Sequence, residues 1–305
     1  QGLMNQELIV AHEIFMTPTA MLADYVLPGD VFTERNHIAD GWSWGNRLTL
    51  SQKAVEPPPQ ASSTFQFWTD LAHRMGFAEY FPWNSIEDIL DHRLSRSGRS
   101  FADFAAATFM ESPPPKFRKY RSRGFATPSG KVELYSSVLE DMGFDPLPYY
   151  REGPTPNAEY PYAVFTGVRE DPFFQTGQRN IEVLRARCPT PKLFLHPTDA
   201  QREALQEDDW VILESATGKV TAQVAIQSSM KEGHIRVPHG WWYPESRGQQ
   251  SLAGAFISSD AVLCSDEDAH LDHEQGVPHF KGFPGRIVKT TQPDITGPAV
   301  QSHPA

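Results

Sequence analysis

Cysteine is nearly absent. Cys188 and Cys264 are the two in 305 residues, and they stand too far apart and too few to build a thiolate zinc site or an iron–sulfur cluster, which use three or four ligands. Two thiols without a CxxC spacing favour a reducing compartment over a disulfide scaffold. Long apolar runs are missing too. No stretch nears the roughly 20 residues that span a bilayer, so direct membrane insertion is not expected. Basic charge is in deficit: 27 Lys and Arg against 38 Asp and Glu give a net charge of −11. That balance argues against nucleic acid as a partner, which calls for a basic face. Neither a GxSxG elbow nor an HExxH pair occurs, so hydrolase and zincin chemistry have no local support. The opening QGLMNQELIVAHEIF lacks an initiator Met and the pattern of a signal peptide. Leu8-Ile9-Val10 already reads as strand core, so the chain is expected to enter its fold in mid-element, as the back part of a longer polypeptide.

What is present is the composition of a globular protein: 39% hydrophobic, 21% charged and 11% aromatic residues, in a length that suits two domains of about 100–200 residues each. Leu8 to Ala11 reads as a buried strand, followed by a turn at Thr17-Pro18-Thr19 and a short helix near Ala20 to Asp24. A strand, a hydroxyl-bearing turn and a helix N-terminus are how open α/β sheets present a ligand site. Ser62 to Met75 has helical spacing, with Ser63 or Thr64 as N-cap and Gly76 as the stop. Pro57–Pro59 and Pro113–Pro115 mark surface connections. The loop-rich stretch from about 115 to 158 ends in Tyr149-Tyr150-Arg151-Glu152-Gly153-Pro154, the best candidate boundary. Beyond it come short strands at Tyr162–Phe165, Leu193–Leu195, Trp210–Glu214, Val220–Ile226 and His234–Val237, separated by turns, as in a β-barrel. Residues 291–305 are rich in Pro, Thr and Ser and read as a frayed tail.

Several motifs have two readings. Phe125-Ala126-Thr127-Pro128-Ser129-Gly130-Lys131 looks like a phosphate loop, but five residues instead of four separate Gly124 from Gly130, and Val132 stands where Ser or Thr would ligate magnesium. Lys116, Arg118, Lys119, Arg121 and Arg123 could hold an anion or form a solvated face. Asp266, Glu267, Asp268, His270, Asp272, His273 and Glu274 could bind a divalent metal or form a polar loop; no calcium-loop pattern fits them. His239-Gly240-Trp241-Trp242-Tyr243-Pro244 sets two indoles beside bare backbone, suited either to enclosing a flat ring or to a core cluster. Thr166-Gly167-Val168-Arg169 and Gln175-Thr176-Gly177-Gln178-Arg179-Asn180 gather many donors in two short loops, as phosphate oxygens and heterocycle carbonyls require.

Taken in order, these pieces resemble the molybdopterin oxidoreductase superfamily, the dimethyl-sulfoxide reductase family, in its C-terminal portion. Glu13-Ile14-Phe15-Met16-Thr17-Pro18-Thr19-Ala20 through Ala23-Asp24-Tyr25-Val26-Leu27-Pro28 resembles the family's D/E-x-F-M-T-x-T-A … A-D-x-V-L-P segment. Phe125–Glu133 resembles its F-x-T-P-S-G-K-x-E stretch. Thr166-Gly167, Arg179, His196–Ala200, Asp209-Trp210-Val211, Gly218-Lys219-Val220 and Gly240-Trp241-Trp242 follow in the family's order. The Arg179 region and the Gly-Trp-Trp-Tyr-Pro-Glu run are most similar to the acetylene hydratase and thiosulfate/polysulfide reductase branch.

The resemblance implies an α/β fragment, the end of a dinucleotide-binding α/β domain (1–158), followed by a double-psi β-barrel cap domain (159–290). It implies two copies of molybdopterin guanine dinucleotide around molybdenum or tungsten. Glu13 would accept from guanine N1 and N2, with Thr17 adding a hydroxyl. Thr166, Gly167, Gln175, Arg179, His239, Gly240 and Trp241 would line the cap, with Lys281 near the pterin or phosphates. The metal ligand and a four-iron four-sulfur cluster belong to the family's N-terminal region. This chain is therefore expected to hold no catalytic or metal-ligating residue, and to have that N-terminal remainder as a partner, together with an iron–sulfur electron-transfer subunit. Two departures stand out: Ala261-Val262-Leu263 replaces an Asn-containing run, and Glu207-Asp208-Asp209 replaces an Asp-Gly-Asp turn. The competing reading is a non-catalytic accessory module that uses the barrel to bind a nucleotide or a protein.

Overall fold

The computed structural model describes residues 2–39, 47–107, 109–111, 116–150, 152–246, 251–267, 271–272 and 275–295. Pro113–Pro115, the tail beyond 295, and Asp268, His270, His273 and Glu274 of the acidic stretch lie outside the described residues. Packing divides the chain into two units, Gln1–Met16 with Leu22–Leu134, and Thr17–Met21 with Tyr135–Ala305.

In the first unit β1 (Val10–Glu13) and β2 (Tyr25–Pro28) pair in parallel, from Val10 opposite Tyr25 to Glu13 opposite Pro28. In sequence between them, the expected short helix is a single 3-10 turn, Ala20–Leu22, whose Ala20 and Met21 are counted with the second unit. Strands β3 (His37–Ala39) and β4 (Arg47–Ser51) are antiparallel. Helix α1 (Thr64–Arg74) begins where Ser63 Oγ accepts from the Gln66 amide at 3.1 Å. It ends at Gly76, whose φ of +83° reverses the chain. Helices α2 (Ile86–Leu94) and α3 (Phe101–Ala107) precede β5 (Phe109–Glu111), which adds to β4. Ile38, Leu90, Leu94 and Phe104 form this unit's core.

The basic run feeds α4 (Tyr120–Arg123). The adjoining phosphate-loop lookalike folds onto itself: the Phe125 amide donates to Gly130 O at 2.9 Å, and the Ser129 amide to Glu133 Oε1 at 2.8 Å. A Cβ on Gly124, at φ +69°, would lie 2.9 Å from Gly130 O, so the turn needs glycine there.

The second unit opens with α5 (Ser137–Asp141) and contains β6 (Tyr162–Val168), α6 (Glu182–Arg185), β7 (Lys192–Leu195), α7 (Pro197–Arg202), β8 (Trp210–Glu214), β9 (Lys219–Ile226), β10 (His234–Pro238), α8 (Ala255–Ser258), β11 (Leu271–Asp272), β12 (Val277–Pro278) and β13 (Lys281–Lys289). Six of these strands close a barrel in the order β10-β6-β13-β8-β9-β7. The pairs β6–β10 and β7–β9 are parallel, and the other four are antiparallel. This is a double-psi β-barrel. Period-two alternation sends Val211 and Leu213, Val220, Ala222 and Val224, and Ile235 and Val237 inward. Full burial of each large side chain contributes about 1.5–3 kcal/mol, and closure leaves no edge to protect. Ahead of β6, the Arg286 guanidinium of β13 lies over the Tyr160 ring at 5.3 Å and pairs with Glu159 at 3.7 Å, so residues before Tyr162 already pack on the barrel.

Five of the six barrel strands follow from the expected pattern. The sixth, β13, reads Lys-Gly-Phe-Pro-Gly-Arg-Ile-Val-Lys, and its Gly and Pro conceal it. Its register shifts between Lys281 and Phe283. A Cβ at Gly285 would meet Val164 Cγ2 at 2.5 Å and Glu214 O at 3.2 Å. Close approach of three strands, rather than a turn, accounts for that glycine. At the β7–β8 side, Asp208 takes φ +65° where the family pattern has Gly, and its carboxylate pairs with Lys192 at 2.6 Å.

Candidate site at one end of the barrel

Strands β6 and β10 run in parallel with Pro238 opposite Val168, so the segments they feed leave the barrel at the same end. The His239 amide donates to Val168 O at 2.8 Å. The start of β13 reaches the same place, because the Thr166 amide and hydroxyl both donate to Phe280 O at 3.0 Å. Thr166-Gly167-Val168-Arg169, His239-Gly240 and Phe280-Lys281 thus converge although 115 residues of sequence separate the first from the last.

Asp260 organises this end. It lies in the 3-10 turn Asp260–Leu263 and is 1% exposed. Its carboxylate accepts from the Gly167 amide at 3.0 Å, the Gly240 amide at 2.8 Å and His239 Nδ1 at 3.1 Å. Burial pushes the Asp260 carboxyl up, yet the His239 imidazole, the Gly240 amide and the Gly167 amide together hold it below the usual carboxylate range. The same hydrogen bond raises the His239 pKa against the opposing effects of burial and the Arg179 charge. Since a carboxylate only accepts, the proton rests on Nδ1 and Nε2 is the atom that titrates. The His239 side chain is 32% exposed, and no described residue bonds its Nε2.

Arg179 clamps the same turn from behind. It is fully buried, and Nε donates to Gly240 O at 2.9 Å while Nη2 donates to His239 O at 2.6 Å and Gln175 O at 3.1 Å. Its guanidinium lies 4.6 Å from the Phe173 ring and 4.5 Å from the Trp241 ring. Burial pulls its pKa down to about 10, so it stays cationic at neutral pH. Gly240 has φ +68°, and a Cβ there would sit 2.2 Å from Thr176 Cγ2. Trp242 Nε1 donates to Thr176 O at 2.8 Å. Gln175 and Gln178 adopt left-handed φ values of +52° and +68°, strain that persists because the surroundings over-determine it.

The structure sorts the expected residues into two groups. Gly167, Gln175, His239 and Lys281 present surface. Thr166, Arg179, Gly240 and Trp241 do not: Thr166 and Arg179 are wholly buried, Trp241 is 1% exposed, and Gly240 is closed in by Thr176. These four lie behind the exposed face rather than on it. Thr166 Oγ1, Arg179 Nε and Arg179 Nη2 donate to backbone carbonyls, the Gly240 amide donates to the Asp260 carboxylate, and the Trp241 indole packs with Phe173, Cys188 and Tyr243. The Trp-Trp pair is therefore core rather than an exposed wall. Asp260 was not foreseen; its signal is a lone carboxylate in the otherwise uncharged run Ala255 to Cys264.

The face fits an oxygen-rich anionic ligand. Gly167, at φ +74°, has no atom within 4 Å of where a Cβ would stand, so a ligand can approach bare backbone. Exposed Arg169 and Lys281 supply cationic donors, and half-buried His239 adds a ring nitrogen. Behind them Arg179 Nη1, Arg185 Nη1 and Trp241 Nε1 are buried with no partner among the described residues, an unusual surplus of donors. Among the described residues no group of three His, Cys, Asp or Glu could hold a metal, and no helix is long and apolar enough to cross a membrane.

In the first unit, Glu13 ends β1 and its Oε1 accepts from the Ile14 amide at 2.8 Å. In the segment Thr17–Met21, counted with the second unit, Thr17 Oγ1 accepts from the Ala20 amide at 3.2 Å. An open concavity of about 400 Å³ beside Asn36, Gln52, Lys53, Glu56 and Phe101 contains none of the expected residues.

Comparison with known proteins places these features. Residues 164–284 match the Molydopterin dinucleotide binding domain, and residues 1–74 match Molybdopterin oxidoreductase. Acetylene hydratase of Syntrophotalea acetylenica is 41% identical over 291 residues, covering 92% of this chain and 40% of that protein. The solved structure of acetylene hydratase from Pelobacter acetylenicus superposes with a TM-score of 0.86 at 39% identity, over 95% of this chain and 41% of that one. Dimethyl sulfoxide reductase of Escherichia coli (strain K12) is 25% identical across 78% of this chain and 33% of its own length. The chain thus spans about two-fifths or less of the relatives it matches. With its double-psi barrel and dinucleotide-binding domain, it belongs to the molybdopterin oxidoreductase superfamily.

Proposed function

We propose that this chain supplies part of the binding site for molybdopterin guanine dinucleotide in a bis-dinucleotide molybdenum or tungsten enzyme. The observation that carries the reading is the converged barrel end: bare Gly167 backbone and the exposed donors of Gln175, His239 and Lys281, held by buried Asp260 and Arg179. Glu13 offers a carboxylate to guanine, whose N1 and N2 donate from one edge, and Thr17 offers a hydroxyl. When bound, the metal–pterin group supplies two-electron redox or hydration chemistry. The chain's own residues bind and orient, and none is assigned to bond making.

The metal ligand and a four-iron four-sulfur cluster would come from further sequence of the same polypeptide, with an iron–sulfur subunit as an electron partner. The first unit supports that partnership. Its parallel pair β1–β2 exposes Val10 (42%) and Tyr25 (64%), whereas parallel strands are ordinarily covered on both faces. On this reading the isolated chain shows negligible redox turnover and no stoichiometric metal.

The test is calorimetric titration with guanosine diphosphate and inosine diphosphate. Guanosine diphosphate should bind about tenfold more tightly, the worth of one charged hydrogen bond, and Glu13→Gln should erase the difference. Equal affinities in the native chain would remove Glu13 from guanine recognition. The accessory-module alternative predicts no preference for guanine.

A further inference from the structure

We propose that Asp260, acting through His239, makes this end of the barrel an oxyanion site that strengthens in acid: the carboxylate pins the proton on Nδ1, so Nε2 donates to a phosphate oxygen only when the ring is cationic. The inference rests on the dinucleotide reading and names the part of the ligand, its diphosphate, that this corner holds.

Three observations carry it. First, the Asp260 carboxylate stands 3.1 Å from His239 Nδ1 through either oxygen, and it is anchored by two backbone amides that fix its orientation. The imidazole therefore has one available tautomer and one available face. Second, the His239 backbone is immobilised: its amide bonds Val168 O and its carbonyl bonds the Arg179 guanidinium. Third, the groups around it are mostly cationic. Arg179 faces the turn from the 175–179 loop, and Arg169 follows Val168 at the end of β6, its guanidinium 4.7 Å from the Phe174 ring. Lys281 opens β13 beside Phe165. Glu170 follows Arg169, and Cys264 donates weakly to Asp260 O at 4.0 Å. Burial raises the Glu170 carboxyl, an effect the Arg236 and Arg179 guanidiniums oppose, and it raises the Cys264 thiol, which therefore stays neutral near neutral pH.

Asp260 is thus a positioning residue, and His239 the group that would touch the ligand. The sign follows from the geometry: charge on His239 is full below the ordinary histidine pKa and is lost as pH rises through its raised folded value.

The test uses the whole chain, with sulfate as a probe whose own charge is constant between pH 5.5 and 8.5, and guanosine diphosphate as a second probe. Nitrogen-15 shifts of His239 should show Nδ1 protonated throughout and Nε2 titrating above the value of a free histidine. Sulfate affinity should fall about tenfold across that range. Asp260→Asn should lower the His239 midpoint and flatten the sulfate profile. His239→Gln, at a partly exposed side chain, should flatten it while the fold is kept. An unshifted midpoint in Asp260→Asn, or an unchanged sulfate profile in His239→Gln, would overturn the proposal. If sulfate behaves as stated but guanosine diphosphate binds at no pH, the oxyanion site stands and the dinucleotide reading fails. The reverse pattern, binding of guanosine diphosphate beside a sulfate affinity that does not change with pH, sinks the Asp260–His239 device alone.

Discussion

The barrel and the β1–β2 pair of the first unit solve the same problem differently. The barrel joins six strands into a ring, so every strand has two neighbours and Val164, Leu193, Leu195 and Leu213 are fully buried. The β1–β2 pair has two strands in parallel, with Val10, Tyr25, Ile14 and Phe15 all exposed. A two-stranded sheet is marginal by itself. The barrel's strands cover one another's inward side chains and so can present a preorganised face; the pair leaves its apolar side chains open. The barrel end accordingly sets buried charges, Asp260 and Arg179, behind exposed donors.

The largest expected effect comes from the buried ion behind that face. Asp260→Ala leaves the Gly167 and Gly240 amides without an acceptor and should lower stability by about 3–5 kcal/mol, read as a shift of the denaturant midpoint. Next, Leu213→Ala in the barrel core should cost about 2–5 kcal/mol, whereas Val10→Ala on the exposed pair should change stability by about 0.5 kcal/mol or less. Equal effects at the two sites would erase the contrast. Arg179→Met removes three bonds to backbone carbonyls and should cost about 2–4 kcal/mol, with loss of the exchange protection of the 239–240 turn. The smallest effect is in pH dependence. The stability gap between the native chain and Asp260→Asn should narrow as pH falls through the depressed Asp260 value and again as it rises through the raised His239 value. Denaturant titrations from pH 3 to 9 measure it; a gap constant over that range contradicts the coupling.

Local chemistry made much of this legible. Ser63 and Gly76 bracket α1 because a cap and a left-handed stop are properties of single residues. Trp210–Glu214 was readable from strand alternation. Distance hid the rest. Gly282, Pro284 and Gly285 look like strand breakers until β6 and β8 are seen close against β13. Thr166, Arg179 and Trp241 look like a binding face because polar and aromatic residues often are one; only tertiary packing shows them buried. Asp260 carries no local motif, and its partners lie 20, 21 and 93 residues away.

The central claim, that this barrel end holds part of the dinucleotide, its diphosphate, is tested most directly by backbone hydrogen exchange of the chain with and without saturating guanosine diphosphate. The account predicts slowed exchange at Gly167, Gln175, His239 and Lys281. No change there, or protection confined to the Asn36–Phe101 concavity of the first unit, would contradict it.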